Sequence, residues 1–322
     1  MTRGIVIGKF MPVHAGHLAL IRFAATQCDE LIVSMSYKDD DSIAGNLRFS
    51  WLNEIFKDDS TIKLNLVKDD FDNETLAWPE RTNLWASFLR KQYGAIDVII
   101  SSEDYGPLLA DHLSCKHISF DLHRKQIPVS ATLIRQKPFT HWEFIPEVVR
   151  PYFVKKICFY GPESTGKSFM AEKLAAYYHT EWVPEVSREL VDSNEFTVED
   201  IIKIGNAQTQ RVLDKTKTAN RILFCDSDLI TTQIYCRHYL GVVPEILFKL
   251  EKEITYDHYF LFDIDVPWVN DGLRDLGERR MEMFGVFRDE LIKRNIPFEL
   301  VRGNYEAREA QLMNWIDRLL EN

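Results

Sequence analysis

No apolar run in the 322-residue chain approaches the ~18 residues a membrane-crossing helix needs, and the opening MTRGIVIGKF lacks the pattern of a secretory leader. No membrane partner is expected, and the location read from this is cytoplasmic. The five cysteines, Cys28, Cys115, Cys158, Cys225 and Cys236, form no CxxC pair and no close group with histidine. That removes a zinc site and a disulfide framework and leaves reduced, buried thiols. Basic charge is in deficit as well: 39 Lys and Arg against 49 Asp and Glu give a net charge of -10, the wrong sign for gripping nucleic acid through its phosphates. Low-complexity tracts and short repeats are also missing.

What is present is a 45% hydrophobic chain long enough for two ordinary domains. Apolar runs at about 3 to 8, 31 to 35, 62 to 67, 95 to 101 and 117 to 120 alternate with helical stretches, which predicts a βαβ-type parallel sheet. A proline-bearing aromatic stretch, FTHWEFIPEVVRPYF, interrupts the pattern; a second series follows at about 156 to 160, 182 to 186, 222 to 225, 259 to 263 and 297 to 301. The expected architecture is α/β, two open parallel-sheet domains, 1–150 and 151–322.

Each half opens on a phosphate-binding signature placed between an apolar strand and a helix, where backbone N–H groups and the helix dipole receive anions. The second is GPESTGKS, a full GxxxxGK[ST] loop from Gly161 to Ser168. Its glycines, with Glu163, Ser164, Thr165 and Gly166, let the backbone wrap phosphates, Lys167 reaches the β and γ phosphates, and Ser168 ligates Mg²⁺. The chain has neither NKxD nor DxxG, so a kinase is favoured over a GTPase switch. ILFCDSD ends an apolar strand in Asp226, read as the magnesium carboxylate, with Asp228 either near the substrate or capping the next helix. TEWVPEVSREL is read as a strand ending in Glu185, a candidate proton acceptor beside Arg188, although an ordinary exposed ion pair explains the pair equally well. VNDGLRDLGERR, with Asp271, Arg274, Arg279 and Arg280, reads as a basic lid over phosphates, Arg274 on ATP.

The first signature, GKFMPVHAGH, supplies Gly8, Lys9, Phe10, His14 and His17. Two imidazoles astride Gly16 can hydrogen-bond an α-phosphate and stabilise the charge that builds as pyrophosphate leaves. The helix is expected from His17 to Cys28, with Leu18, Ile21, Ala25 and Cys28 on its buried stripe. VSATLIRQKP adds Ser130, Thr132 and Arg135, as phosphate ligands or, for the hydroxyls, as simple caps. Trp78 and Trp85, in the loop-like AWPERTNLW, offer an aromatic face for a flat substrate ring, with core packing at least as good a reading. The other histidines, His112, His117, His123, His141, His179, His238 and His258, show no ligand spacing and are taken as structural.

GKFMPVHAGH with SATLIR resembles the HxGH nucleotidylyltransferase superfamily. Together with LRFSWL, SSEDYG, WEFIPEVVRPYFVKKICFYGPESTGKS, CDSDLITTQIYC, PWVNDGLR and NYEAR, it resembles the bifunctional NadR family over nearly the whole chain. The resemblance implies a Rossmann-like nicotinamide mononucleotide adenylyltransferase domain followed by a P-loop ribosylnicotinamide kinase domain. It also implies ATP as co-substrate with Mg²⁺, and nicotinamide riboside, nicotinamide mononucleotide and NAD as ligands. His14, His17, Ser130, Thr132 and Arg135 would then serve adenylyl transfer, and Lys167, Ser168, Asp226 and Glu185 phosphoryl transfer. No recognition helix precedes the first strand, so no DNA partner is expected. A homo-oligomer stays open. Two rivals remain: the same pair of sites acting on another nucleoside or vitamin substrate, and a nucleotide-sensing regulatory protein.

Overall fold

A computed structural model describes residues 1–191, 196–269 and 276–321. The chain divides into two compact units, Met1–Arg150 and Pro151–Asn322.

The first unit runs β1 (Arg3–Gly8), α1 (Ala15–Ala25), β2 (Glu30–Tyr37), α2 (Gly45–Phe56), β3 (Ile62–Lys68), α3 (Trp78–Tyr93), β4 (Val98–Ser101), α4 (Gly106–Leu113), β5 (Lys116–Ser119) and α5 (Ala131–Gln136). Its five strands are parallel in the order β3-β2-β1-β4-β5. The central strands are apolar on both faces because helices cover both; Ile5, Ile32 and Ile99 pack on Ala86, Leu89 and Leu109. The chain goes from β1 to one side, then returns to add β4 on the other, so the carboxyl end of β1 is a topological switch point, where open α/β sheets place ligands. Gly8 stands there.

Two local expectations change. The first helix begins two residues earlier than His17 and ends at Ala25, with Leu20, Ile21 and Ala24 buried, because His14 caps it. AWPERTNLW is not a loop but the start of α3: Pro79 lies in the first turn, where its fixed φ suits a helix, and Thr82, Ala86 and Leu89 form the buried stripe.

The second unit runs β6 (Lys155–Tyr160), α6 (Lys167–Tyr177), β7 (Trp182–Val183), α7 (Ser187–Leu190), α8 (Val198–Thr218), β8 (Ile222–Asp226), α9 (Leu229–Leu240), α10 (Glu245–Glu251), β9 (His258–Phe262), α11 (Arg280–Lys293), β10 (Phe298–Val301) and α12 (Tyr305–Glu321). Its strands are parallel in the order β10-β9-β6-β8-β7. Phe159, Phe224, Phe260 and Phe262 fill one face against α6 and α12; Tyr160, Tyr259 and Phe287 fill the other. β6 is central, and its register with β8 sets Phe159 opposite Asp226, which brings that carboxylate to the mouth of the GxxxxGKS loop. β7 stops at Val183 because Pro184 cannot donate to a ladder, so Glu185 lies beyond the strand rather than at its end. Among the described residues no helix is long and apolar enough to cross a membrane.

Candidate active sites

In the first unit a cavity of about 490 Å³ opens at the end of β1, lined by Gly8, Lys9, His14, His17, Ser130 and Arg135 among others. The buried His14 is the N-cap of α1, its Nδ1 accepting the Gly16 N–H at 3.1 Å. An acceptor Nδ1 leaves Nε2 to carry the proton and to donate. The His17 ring stacks on His14 with centroids 3.7 Å apart and meets Phe10 edge-on at 4.9 Å. Burial, and then the Arg124 guanidinium, lower the His14 pKa to about 4. Burial, and then His14, push His17 well below the ordinary value. Both rings are therefore neutral at pH 7, and the His14 tautomer leaves its Nε2–H as a donor. Such a donor can stabilise an oxyanion without first giving up a proton.

The surrounding groups hold that loop in place. Phe10 adopts φ 48° and tucks beneath Gly8, where an added Cβ would stand 3.3 Å from its ring. Arg135 donates to the Met11 carbonyl and, at 3.3 Å, to Thr132 Oγ1. Ser130 caps α5, accepting the Leu133 N–H at 3.3 Å. Lys9 and Lys38 both pair with Glu74, at 3.2 and 3.1 Å. An adjoining cavity of about 160 Å³ is walled by Lys9, Asp69, Trp78, Arg81, Trp85 and Tyr105, among others. Here Trp78 stacks on Tyr105 at 5.8 Å, and Trp85 meets Phe71 edge-on at 4.9 Å.

Sequence reasoning missed two arginines here. Arg124 lines the main cavity from the turn that Asp121 organises by accepting the N–H groups of Lys125, Gln126 and Ile127. Arg48 is fully buried behind the loop, bonded to the carbonyls of Lys9 and Ile43 and paired with Asp41. Its signal was in the sequence, since Arg48 falls on the apolar stripe of α2 with Trp51, Leu52 and Phe56.

In the second unit a cavity of about 390 Å³ is lined by Gly161 and Glu163 to Phe169, and further round by Glu185, Arg188, Tyr235 and Tyr239. The loop needs its glycines: Gly161 and Gly166 have φ 135° and 84°, and Cβ atoms there would come within 2.9 Å of the Phe262 carbonyl and of Tyr305. Lys167 Nζ donates to the Gly161 and Pro162 carbonyls at 2.8 Å each, so its ammonium sits at the centre of the loop. Ser168 donates its hydroxyl to Asp226 Oδ2, while the buried Oδ1 takes no hydrogen bond. Burial pushes the Asp226 carboxyl up to about 6 despite the pull of Lys167. Glu185 and Arg188 pair at 3.4 Å.

Other expected residues fall elsewhere. Asp228 does not line the cavity; it is the buried N-cap of α9, accepting from Thr231 N–H at 2.9 Å and Tyr259 O–H at 2.9 Å. Arg280 donates to the carbonyls of Val266 and of the loop residue Ser164 at 2.7 and 2.8 Å, and Arg279 pairs with Glu282, so both arginines are engaged with protein groups. Arg274 and Asp271 lie outside the described residues. Glu163 accepts the Leu276 N–H at 3.0 Å, which fastens the loop to the start of the α11 segment. Two further residues were missed. The fully buried Arg308 joins the carbonyls of Thr165, Asp263 and Gly303 and pairs with Asp265, again on a helix stripe, with Leu312 and Ile316. Gln208 accepts the Val186 N–H at 3.0 Å, fixing the turn after Glu185.

Comparison with known proteins fits two such sites in one chain. Residues 156–308 match a family model described as an AAA domain. The trifunctional NAD biosynthesis/regulator protein NadR of Escherichia coli K12 is 31% identical over 99% of this chain and 83% of that protein. A nicotinamide-nucleotide adenylyltransferase of Halobacterium salinarum is 32% identical over 32% of this chain and 56% of its own. A crystal structure of a NadR protein in complex with NR aligns with a TM-score of 0.82 at 22% identity, covering 98% of this chain and 95% of the other. Another, in complex with NAD and AMP-PNP, aligns at 0.80 and 22%, covering 100% and 97%. With both phosphate loops framed as described and a 31% identical relative matched end to end along this chain, the protein belongs to the NadR family.

Proposed function

We propose that this chain makes NAD from nicotinamide riboside in two transfers. The second unit phosphorylates the riboside with ATP. The first joins the resulting mononucleotide to AMP from a second ATP and releases pyrophosphate. The observation that carries this reading is the pairing of a stacked, neutral His14/His17 couple in one unit with the Lys167–Ser168–Asp226 group in the other. The relatives named for NAD biosynthesis and for nicotinamide-nucleotide adenylyl transfer supply the substrates.

In the second unit, Lys167 leaves its loop carbonyls for the β and γ phosphates, and the loop N–H groups wrap them. The donor set fits Mg²⁺: Ser168 Oγ and Asp226 are hard oxygen ligands, and Asp226 Oδ1 is buried with no hydrogen bond of its own. When bound, the ion supplies charge neutralisation on the phosphates. Glu185, on the cavity wall beside Arg188, takes the proton of the 5′-hydroxyl as it attacks.

In the first unit, Lys9, Ser130, Thr132 and Arg135 hold the triphosphate while His14 donates from Nε2 to the phosphate and His17 stands nearest the α-phosphorus. Trp78 and Trp85 flank the nicotinamide ring in the adjoining cavity. Neither transfer uses a covalent enzyme intermediate. Positioning and electrostatics supply the rate.

Incubation with nicotinamide riboside, excess ATP and Mg²⁺, followed by separation of products over time, tests the reading. The mononucleotide should appear first and NAD second. Absence of both, or phosphorylation of pyrimidine nucleosides in preference to the riboside, would defeat it.

A further inference from the structure

The 160 Å³ cavity beside Lys9 has one feature that the proposed chemistry leaves unexplained. Asp69 lies just past the end of β3, is 5% exposed, and forms part of the cavity wall. Its Oδ1 accepts the Asp72 N–H at 3.1 Å, whereas its buried Oδ2 takes no hydrogen bond. The other charged groups of the wall are engaged. Asp72 is held by Arg81, including an Nε contact at 2.7 Å, and Lys9 pairs with Glu74. Among the described residues Asp69 has no ion pair. Burial raises its pKa, as expected where solvation of the carboxylate is incomplete.

A carboxylate oxygen kept from water and given no donor asks for one from a ligand, because an unmet buried acceptor is costly. The same oxygen repels a second anion across a low-dielectric cavity. Trp78 and Trp85 share this wall, so a flat ring bound against them would present its substituent to Asp69. From this placement we infer that Asp69 sets the choice between mononucleotides. Its free oxygen accepts an N–H from a neutral carboxamide on the ring and rejects the carboxylate of the deamidated form. The inference rests on the adenylyltransferase reading of the first unit. Asp69 is a binding group that selects substrate, with no part in the bond changes at phosphorus.

Asp69→Asn tests this with little change of shape, because the side-chain oxygen of Asn can keep the bond from Asp72 N–H while its NH₂ replaces the free acceptor. The readout is kcat/KM for nicotinamide mononucleotide divided by kcat/KM for nicotinic acid mononucleotide, with the denaturant midpoint for loss of adenylyl transfer as a folding control. The wild type should favour the amide. The variant should lower the ratio at least tenfold, with an absolute gain on the acid. A structural role alone would depress both substrates equally and leave the ratio unchanged, which overturns the inference. So does a wild type that uses the acid as well as the amide, a result that needs no variant and leaves adenylyl transfer itself standing. Turnover of neither mononucleotide would instead sink the adenylyltransferase reading, and this inference with it.

Discussion

The two units hold phosphate loops in the same place, the carboxyl end of a central parallel strand, and they brace those loops alike. Behind each stands one fully buried arginine, Arg48 or Arg308, that takes a loop carbonyl, Lys9 or Thr165, and an aspartate, Asp41 or Asp265. In front, the units differ. The first presents imidazoles whose burial keeps them neutral; the second presents an ammonium facing a carboxyl whose burial resists ionisation. Bracing a backbone loop is a demand common to both folds, whereas the groups at the mouth of each loop differ, as the proposed attack at different phosphorus atoms requires.

Independence of the two fronts gives the largest expected effect. Lys167→Ala should lower riboside phosphorylation by about 10³-fold or more and leave adenylyl transfer within twofold; His17→Ala should do the reverse by about 10²–10³-fold. Each transfer is assayed with its own substrate. Loss of both activities in either folded variant would break the division.

The shared brace predicts the next effect. Arg48→Met strands a buried aspartate and several carbonyls, at a cost of about 3–5 kcal/mol, whereas Arg308→Met strands carbonyls but an exposed aspartate, and costs about 1–3 kcal/mol. In denaturant titrations followed by both activities, Arg48→Met should bring forward only the loss of adenylyl transfer, and Arg308→Met only that of kinase activity. A midpoint unmoved by Arg48→Met would show that the clamp does not bear on stability.

The fronts should also respond to pH in opposite senses. His14 has a folded pKa of about 4, below its ordinary 6.5, so its contribution to stability is present above 6.5 and is lost as pH falls towards 4. The loss is on the order of 3 kcal/mol for such a drop. Asp226 and Asp228 are raised to about 6, so the folded second unit holds these protons more tightly than the unfolded chain. Their contribution is fullest below 3.8 and declines as pH rises to 6. With a chelator present, Asp226→Asn should therefore raise the second unit's unfolding midpoint at pH 8 while abolishing kinase turnover. A lower midpoint would mean that Lys167 outweighs burial.

Much of this was legible in the sequence, for a physical reason. Buried parallel strands are almost continuous apolar runs, so Ile5, Ile32 and Ile99, or Phe159, Phe224 and Phe260, announce themselves. Phosphate loops are local and carry their own spacing. What stayed hidden was non-local or dual-use. Arg48 and Arg308 look like surface charges unless their stripe is noticed, because their partners lie elsewhere in the chain. Asp228 and Arg280 have residue types suited to substrate, yet one caps a helix and the other braces a carbonyl. Pro79 suggested a loop and instead opened a helix.

The smallest effect separates two caps of similar geometry. Thr197 and Ser130 both cap helices through a side-chain oxygen, α8 in the second unit and α5 in the first. The Thr197 hydroxyl accepts the Asp200 N–H at 3.2 Å and donates to the Asp200 carboxylate at 2.8 Å, so both of its functions are engaged. Ser130 accepts at 3.3 Å but donates no hydrogen bond among the described residues, and it lines the first unit's main cavity. Thr197→Ala should thus cost about 1 kcal/mol and leave both reactions unchanged. Ser130→Ala should cost about as much or less, and in addition raise the KM for ATP in adenylyl transfer severalfold, because under the proposed mechanism a phosphate-binding hydroxyl is lost along with the cap. If its KM stays at the wild-type value while stability falls, Ser130 is a cap alone, and the phosphate must rest on Thr132, Arg135 and the histidines.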